Sequence, residues 1–107
     1  MPYTHRFELS FAPEVIEHLV VVERKYHPLI QKTLDEQLGY EPDRRTRNRK
    51  PVEQPAPFAA TWELRFGAGN RVRVFYDVDR GEHTVWILAV GIKERERLFI
   101  GEEEFKL

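Results

Sequence analysis

The sequence predicts an α+β domain: a small, mainly antiparallel four-stranded sheet packed against an N-terminal helical hairpin and closed by a short C-terminal helix. Three observations lead there. Residues 61–91, TWELRFGAGNRVRVFYDVDRGEHTVWILAVG, alternate with period two across three runs joined by two short turns. Residues 13–39 switch to apolar spacings of three and four. At 107 residues the chain can bury one hydrophobic core and not two.

The elements follow in order. Tyr3, His5, Phe7 and Leu9 alternate with Thr4, Arg6 and Glu8, which predicts an opening strand in the same sheet. The period changes at Ser10. Pro13 suits the first turn of a helix, and Val15, Ile16, Leu19, Val20 and Val22 carry it to about Lys25. His27 and Pro28 interrupt. A second helix begins near Pro28 with Ile30, Thr33, Leu34 and Leu38 on one face, and Gly39 is placed to end it in a left-handed conformation. The two helices form the hairpin that covers the apolar face of the sheet.

From Tyr40 to Phe58 no period survives, and Pro42, Pro51, Pro55 and Pro57 predict one long loop. In the first strand after it, Trp62, Leu64 and Phe66 face inward while Thr61, Glu63 and Arg65 face outward. In the next, Val72, Val74 and Tyr76 face inward, and Arg71 and Arg73 share the opposite face with Phe75. Gly67-Ala68-Gly69-Asn70 reads as the hairpin turn between them. The third strand, from about His83 to Val90, sets Val85, Ile87 and Ala89 against Trp86, Leu88 and Val90, so it is covered on both faces or lies mid-sheet. Lys93 to about Ile100 predicts a short helix, and an acidic tail runs from Glu102 to Leu107.

Composition narrows the chemistry. No stretch approaches the ~18 apolar residues of a membrane span, and MPYTHRFELS lacks the layout of a signal peptide, so the expectation is a cytosolic protein without a membrane partner. Without cysteine there is no disulfide, thiolate nucleophile or thiolate metal site. The net charge of −1 hides a segregation: residues 44–73 hold eight basic residues against Glu53 and Glu63, a net +6, and the remainder carries −7. Arg44, Arg45, Arg47, Arg49 and Lys50 form the densest run, inside the long loop. The run reads either as a phosphate-binding patch or as a solvated connection.

His5, His18, His27 and His83 are scattered at no metal-ligand spacing, and no GxxxxGK loop is present. Ser10 is the only serine. Cationic residues and carboxylates remain, and they can catalyse attack of a ribose 2′-hydroxyl on its neighbouring phosphate without a metal. Arg65 and Arg73, on one face of a hairpin, suit a phosphorane; Glu63 is a candidate base and Lys93 a candidate proton donor to the leaving oxygen. Glu63 with Arg65 also reads as an ordinary ion-paired strand face.

The ordered set NRKP (48–51), WELR (62–65), RVFYDVD (73–79), ILAVG (87–91) and KERERLFI (93–100) resembles the RelE/ParE toxins of bacterial type II toxin–antitoxin systems, in particular the RelE-like branch. With the preceding helices the resemblance spans most of the chain. It implies an endoribonuclease that cleaves messenger RNA in the ribosomal A site, needs no cofactor, and is neutralised by a cognate antitoxin through which the complex can bind operator DNA. It implies catalytic roles for Arg65, Arg73 and Lys93, with Arg95 a weaker match in the same turn. Glu63 and Thr61 stand where some members carry strand lysines, and Phe99 stands where RelE-like nucleases often have a catalytic tyrosine. The alternative is the same fold without nuclease chemistry, as a ParE-type gyrase-binding toxin or a protein that only engages an antitoxin. A plain interaction module is a third class, and it leaves the segregated charge unexplained.

Overall fold

The long central strand of the molecule, β5 (Thr84–Glu94), carries neighbours along both edges, and the rest of the fold is arranged around it. The computed structural model describes residues 6–105. Before β5 come β1 (Glu8–Phe11), α1 (Glu14–Val20), a 3-10 turn (Arg24–Tyr26), α2 (His27–Leu38), β2 (Arg49–Pro51), β3 (Trp62–Phe66) and β4 (Val72–Asp79); β6 (Arg97–Ile100) and β7 (Glu103–Phe105) follow it. The strand order is β2-β3-β4-β5-β6-β7, with antiparallel neighbours throughout. On the edge away from β4, β5 pairs in parallel with β1 at Thr84–Ile87 and antiparallel with β6 at Gly91–Glu94.

The expected four-stranded sheet on a helical hairpin, with a C-terminal helix, is therefore overturned: among the described residues the sheet has seven strands and the α-helices are two short ones. Three local causes account for it. Lys93–Ile100 is rich in helix formers, but pairing Ile92 with Phe99 and Lys93 with Leu98 buries Leu98 and Ile100 on one side of a hairpin. Tertiary burial outweighs the weak intrinsic propensity of these residues. The turn of that hairpin has no glycine, and Arg95 takes φ 58 there. The long loop contributes β2, an edge strand paired with β3, where Pro51 is tolerated because only one edge needs hydrogen bonds. The acidic tail contributes β7, again by pairing rather than by pattern.

The first helix stops at Val20, short of Lys25, where the Leu19 carbonyl accepts the Val21 and Val22 amides, and His27 folds back beyond its end, its Nε2 donating to the carbonyls of Leu19 (3.0 Å) and Val22 (3.1 Å). Gly39 ends α2 at φ −73, ψ −29, not in the expected left-handed conformation. A side chain is excluded there for another reason, since a Cβ would lie 2.9 Å from the Asp35 carbonyl and 3.0 Å from Arg6 Nη1. Ser10, where the period changes, still belongs to β1, and Tyr3 and His5 lie outside the described residues.

Both faces of the sheet carry apolar clusters. On the helix side, Ile30, Leu34 and Leu38 of α2 and Val15 of α1 join Leu64, Val74, Tyr76 and Ile87 in the main core. Each such side chain stabilises the fold by roughly 1.5–3 kcal/mol of burial. On the other face, Ala60, Phe75, Ala89, Leu98 and Ile100 form a smaller cluster. A bulge decides which residues of β5 go where: Phe75 pairs with Ala89 and Tyr76 with Ile87, so Leu88 is passed over. Val85, Ile87 and Val90 then face the helices and Ala89 faces away, which simple alternation assigned differently. Among the described residues no helix is long and apolar enough to cross a membrane.

Candidate functional site

The β3–β4 hairpin sets Arg65 directly opposite Arg73 and Glu63 opposite Phe75, all on the face away from the helices. The Glu63 carboxylate bridges the two guanidinium groups. Arg65 Nε donates to Oε1 at 2.9 Å, and Arg73 Nη1 donates to Oε2 at 3.3 Å. Arg73 Nε also donates to the Asn70 carbonyl at 2.8 Å, so the turn of the hairpin holds its other side.

Burial separates three residues that alternation treats alike. The Glu63 and Arg73 side chains are 6% and 5% exposed, whereas that of Arg65 is 32% exposed. Glu63 and Arg73 lie on the predicted face but are covered, because that face carries an apolar cluster instead of open water. A buried carboxylate and guanidinium persist when each is paired and hydrogen-bonded. Arg65 is left as the member of the bridge that reaches solvent.

Two lysines border the bridge. Lys50 pairs across the ladder with Glu63, and Lys93 stands two residues beyond Gly91, the partner of Arg73. Both are partly exposed, and by strand alternation both belong to the Glu63 face. The Lys93 amide donates to the Arg71 carbonyl at 2.8 Å, which fixes the backbone beside the hairpin. Two guanidinium groups thus bond one carboxylate, and Lys50 and Lys93 share its face, an excess of positive charge suited to phosphate oxygens.

The remaining expected basic residues do not form one unit. Arg71 sits in helical conformation ahead of β4, and its guanidinium donates to the Tyr26 hydroxyl (3.2 Å) on the helix side, not beside Arg73. Arg49 is partly exposed and bonds the carbonyls of Gln37 (2.5 Å) and Glu41 (2.8 Å), tying β2 to the end of α2. Arg44 pairs with Glu41 at 2.9 Å on the surface. Arg45, Arg47 and Arg95 are exposed. Phe99, opposite Ile92, lines a groove of about 260 Å³ with Tyr26, Val90 and Arg71 on the helix side, away from the Glu63 bridge.

Asn48 was visible in the sequence only as part of NRKP, and its role is local. Its amide donates to the Arg65 carbonyl at 2.7 Å while the Arg65 amide donates to its own carbonyl at 2.9 Å. This pair of hydrogen bonds clamps β3 at the residue whose side chain reaches solvent. Thr46 shapes the approach, its hydroxyl accepting from the amides of Asn48 and Arg49. A Thr-x-Asn pairing of this kind is a turn signal that a reading for long regular structure passes over.

Among the described residues no group of three or more histidines and carboxylates is placed to hold a metal ion. Comparison with protein-family models, with curated proteins and with solved structures gave no match.

Proposed function

We propose that this chain is the toxin of a type II toxin–antitoxin system, a metal-independent endoribonuclease that cuts messenger RNA on the ribosome. The observation that carries this reading is the Glu63 bridge: one carboxylate shared by a buried and a partly exposed guanidinium on a single strand face. Arg65 leaves Glu63 for a phosphate oxygen, which frees Oε1 to accept the proton of the ribose 2′-hydroxyl. The 2′-oxygen bonds to phosphorus, the bond to the 5′-oxygen breaks, and Lys93 supplies the proton that the leaving oxygen takes up. The products are a 2′,3′-cyclic phosphate and a free 5′-hydroxyl. Arg73 is a positioning residue that holds Oε2 and the hairpin turn. Guanidinium donors set on rigid strands favour the more highly charged phosphorane over the ground state.

A second reading is favoured by the burial of Glu63 and Arg73 and by Phe99 lying on the opposite face. In it the basic surface binds without cutting, as a gyrase-directed toxin or an antitoxin-binding protein. Ribosomes carrying a defined message, incubated with purified protein, separate the two: new 5′-hydroxyl ends in the A-site codon support the nuclease. Their absence, with ribosome binding retained, supports binding alone.

A further inference from the structure

Part of the acidic charge lies on another part of the molecule from the basic hairpin, around the outer face of α1. Ile16 and Val20, one helical turn apart, are 69% and 76% exposed, and Val21 is 46% exposed. Ile16 and Val20 are neighbours on the helix surface at this spacing, and Val20 and Val21 line one groove. A groove of about 690 Å³ opens beside them, with Val20, Val21 and Phe58 on its walls and Ile100 at its base. Four carboxylates line it: Glu14 and Glu17 from α1, and Glu102 and Glu103 from the β6–β7 turn and β7. Among the described residues no lysine or arginine does.

Val21 and Gly101 also line the neighbouring groove of about 260 Å³, so the two depressions adjoin. Glu23 and Glu94 border that second groove, and Arg71, its one cation among the described residues, is engaged by the Tyr26 hydroxyl. Apolar walls with acidic margins run through both.

We infer that this surface is a docking site for a basic, amphipathic segment of a partner protein. Its apolar side chains would cover Val20, Val21 and Phe58, and its lysines or arginines would meet Glu14, Glu17 and Glu103. An acidic segment is excluded by like-charge repulsion from Glu14, Glu17, Glu102 and Glu103. An RNA is excluded for the same reason, so this surface and the basic hairpin take partners of opposite charge.

The test uses the whole chain and two synthetic helical probes, a lysine–leucine amphipathic peptide and its glutamate–leucine counterpart, followed by fluorescence anisotropy. The lysine peptide binds, more weakly as salt rises, and the glutamate peptide does not. Glu17→Lys and Glu102→Lys each weaken binding at least about tenfold by placing like charges together. Val20→Ser weakens it without altering the salt dependence, and Glu36→Lys, on the exposed side of α2, leaves it unchanged. Two surface positions are reversed so that a folding failure of one variant, seen by circular dichroism, leaves the other to decide. Equal binding of both peptides, or affinity unmoved by either reversal, overturns the inference. It is overturned too if sedimentation shows the purified chain self-associating through this surface, with the association lost in Glu17→Lys and in a variant with Arg44, Arg45 and Arg47 changed to Gln.

Discussion

Arg73 and Glu63 meet across the β3–β4 hairpin at 3.3 Å with both side chains almost wholly out of solvent. Their pairing makes the same two residues part of the scaffold and part of the proposed chemistry, and the two roles have different signatures.

Glu63→Ala leaves the Arg73 guanidinium buried with only the Asn70 carbonyl, and loss of stability on the order of 3–5 kcal/mol is expected. The double variant Glu63→Leu with Arg73→Met recovers most of it, since a well-packed apolar pair can replace a buried ion pair. Urea unfolding of the three proteins checks this. Equal losses in the single and double variants would show that packing, not the unpaired charge, set the cost.

Arg65→Ala is expected to lower single-turnover cleavage by about 10²-fold, the scale of one lost oxyanion donor. Its stability should change by no more than about 1 kcal/mol, as for other partly exposed pairs. Arg73→Ala should lower both rate and stability. A cleavage rate untouched by Arg65→Ala would remove Arg65 from the chemistry. Phe99→Tyr, which adds a hydroxyl on the helix side, is expected to leave the rate as it was.

The basic loop is expected to divide by role. Changing Arg44, Arg45 and Arg47 to Gln should weaken RNA or ribosome binding and flatten its salt dependence, because fewer counterions are released. Arg49→Gln should instead destabilise the fold by roughly 1.5–3 kcal/mol, the scale of hydrogen bonds made by a charged group. Thermal melts and binding isotherms at three salt concentrations separate the two. A shared phenotype would mean that the loop acts as one patch after all.

His18 makes stability depend on pH. Its Nδ1 accepts the Val90 amide (3.3 Å) on the edge of β5 between the stretches paired with β1 and β6. Burial holds its pKa below the ordinary 6.5, opposed in part by Glu14, Glu17 and Glu103. The unfolded chain therefore binds the proton first. Stability is full above pH 6.5 and falls as the pH drops from there towards the lowered value in the folded state. Denaturant midpoints between pH 7.5 and 5 should show this slope in the parent and a smaller one in His18→Gln. Identical slopes would place the pH dependence elsewhere.

The sequence by itself determined the parts whose period is strong. Trp62–Phe66 and Val72–Asp79 are strands, Ile30, Leu34 and Leu38 face the core, and Arg65, Arg73 and Glu63 share a face, because alternation and helical spacing are local properties of the chain. Tertiary structure decided what depends on a partner. Arg49–Pro51, Arg97–Ile100 and Glu103–Phe105 are strands only because a neighbouring strand satisfies their backbone groups, and three or four residues are too few to declare a period. It also decided the side of each cation. Arg71 is turned to Tyr26 by the helical backbone ahead of β4, Arg49 is taken by the end of α2, and burial under the second apolar cluster divides Arg73 from Arg65. Exposure is set by what packs across space, and residues adjacent in the alternation carry no record of it.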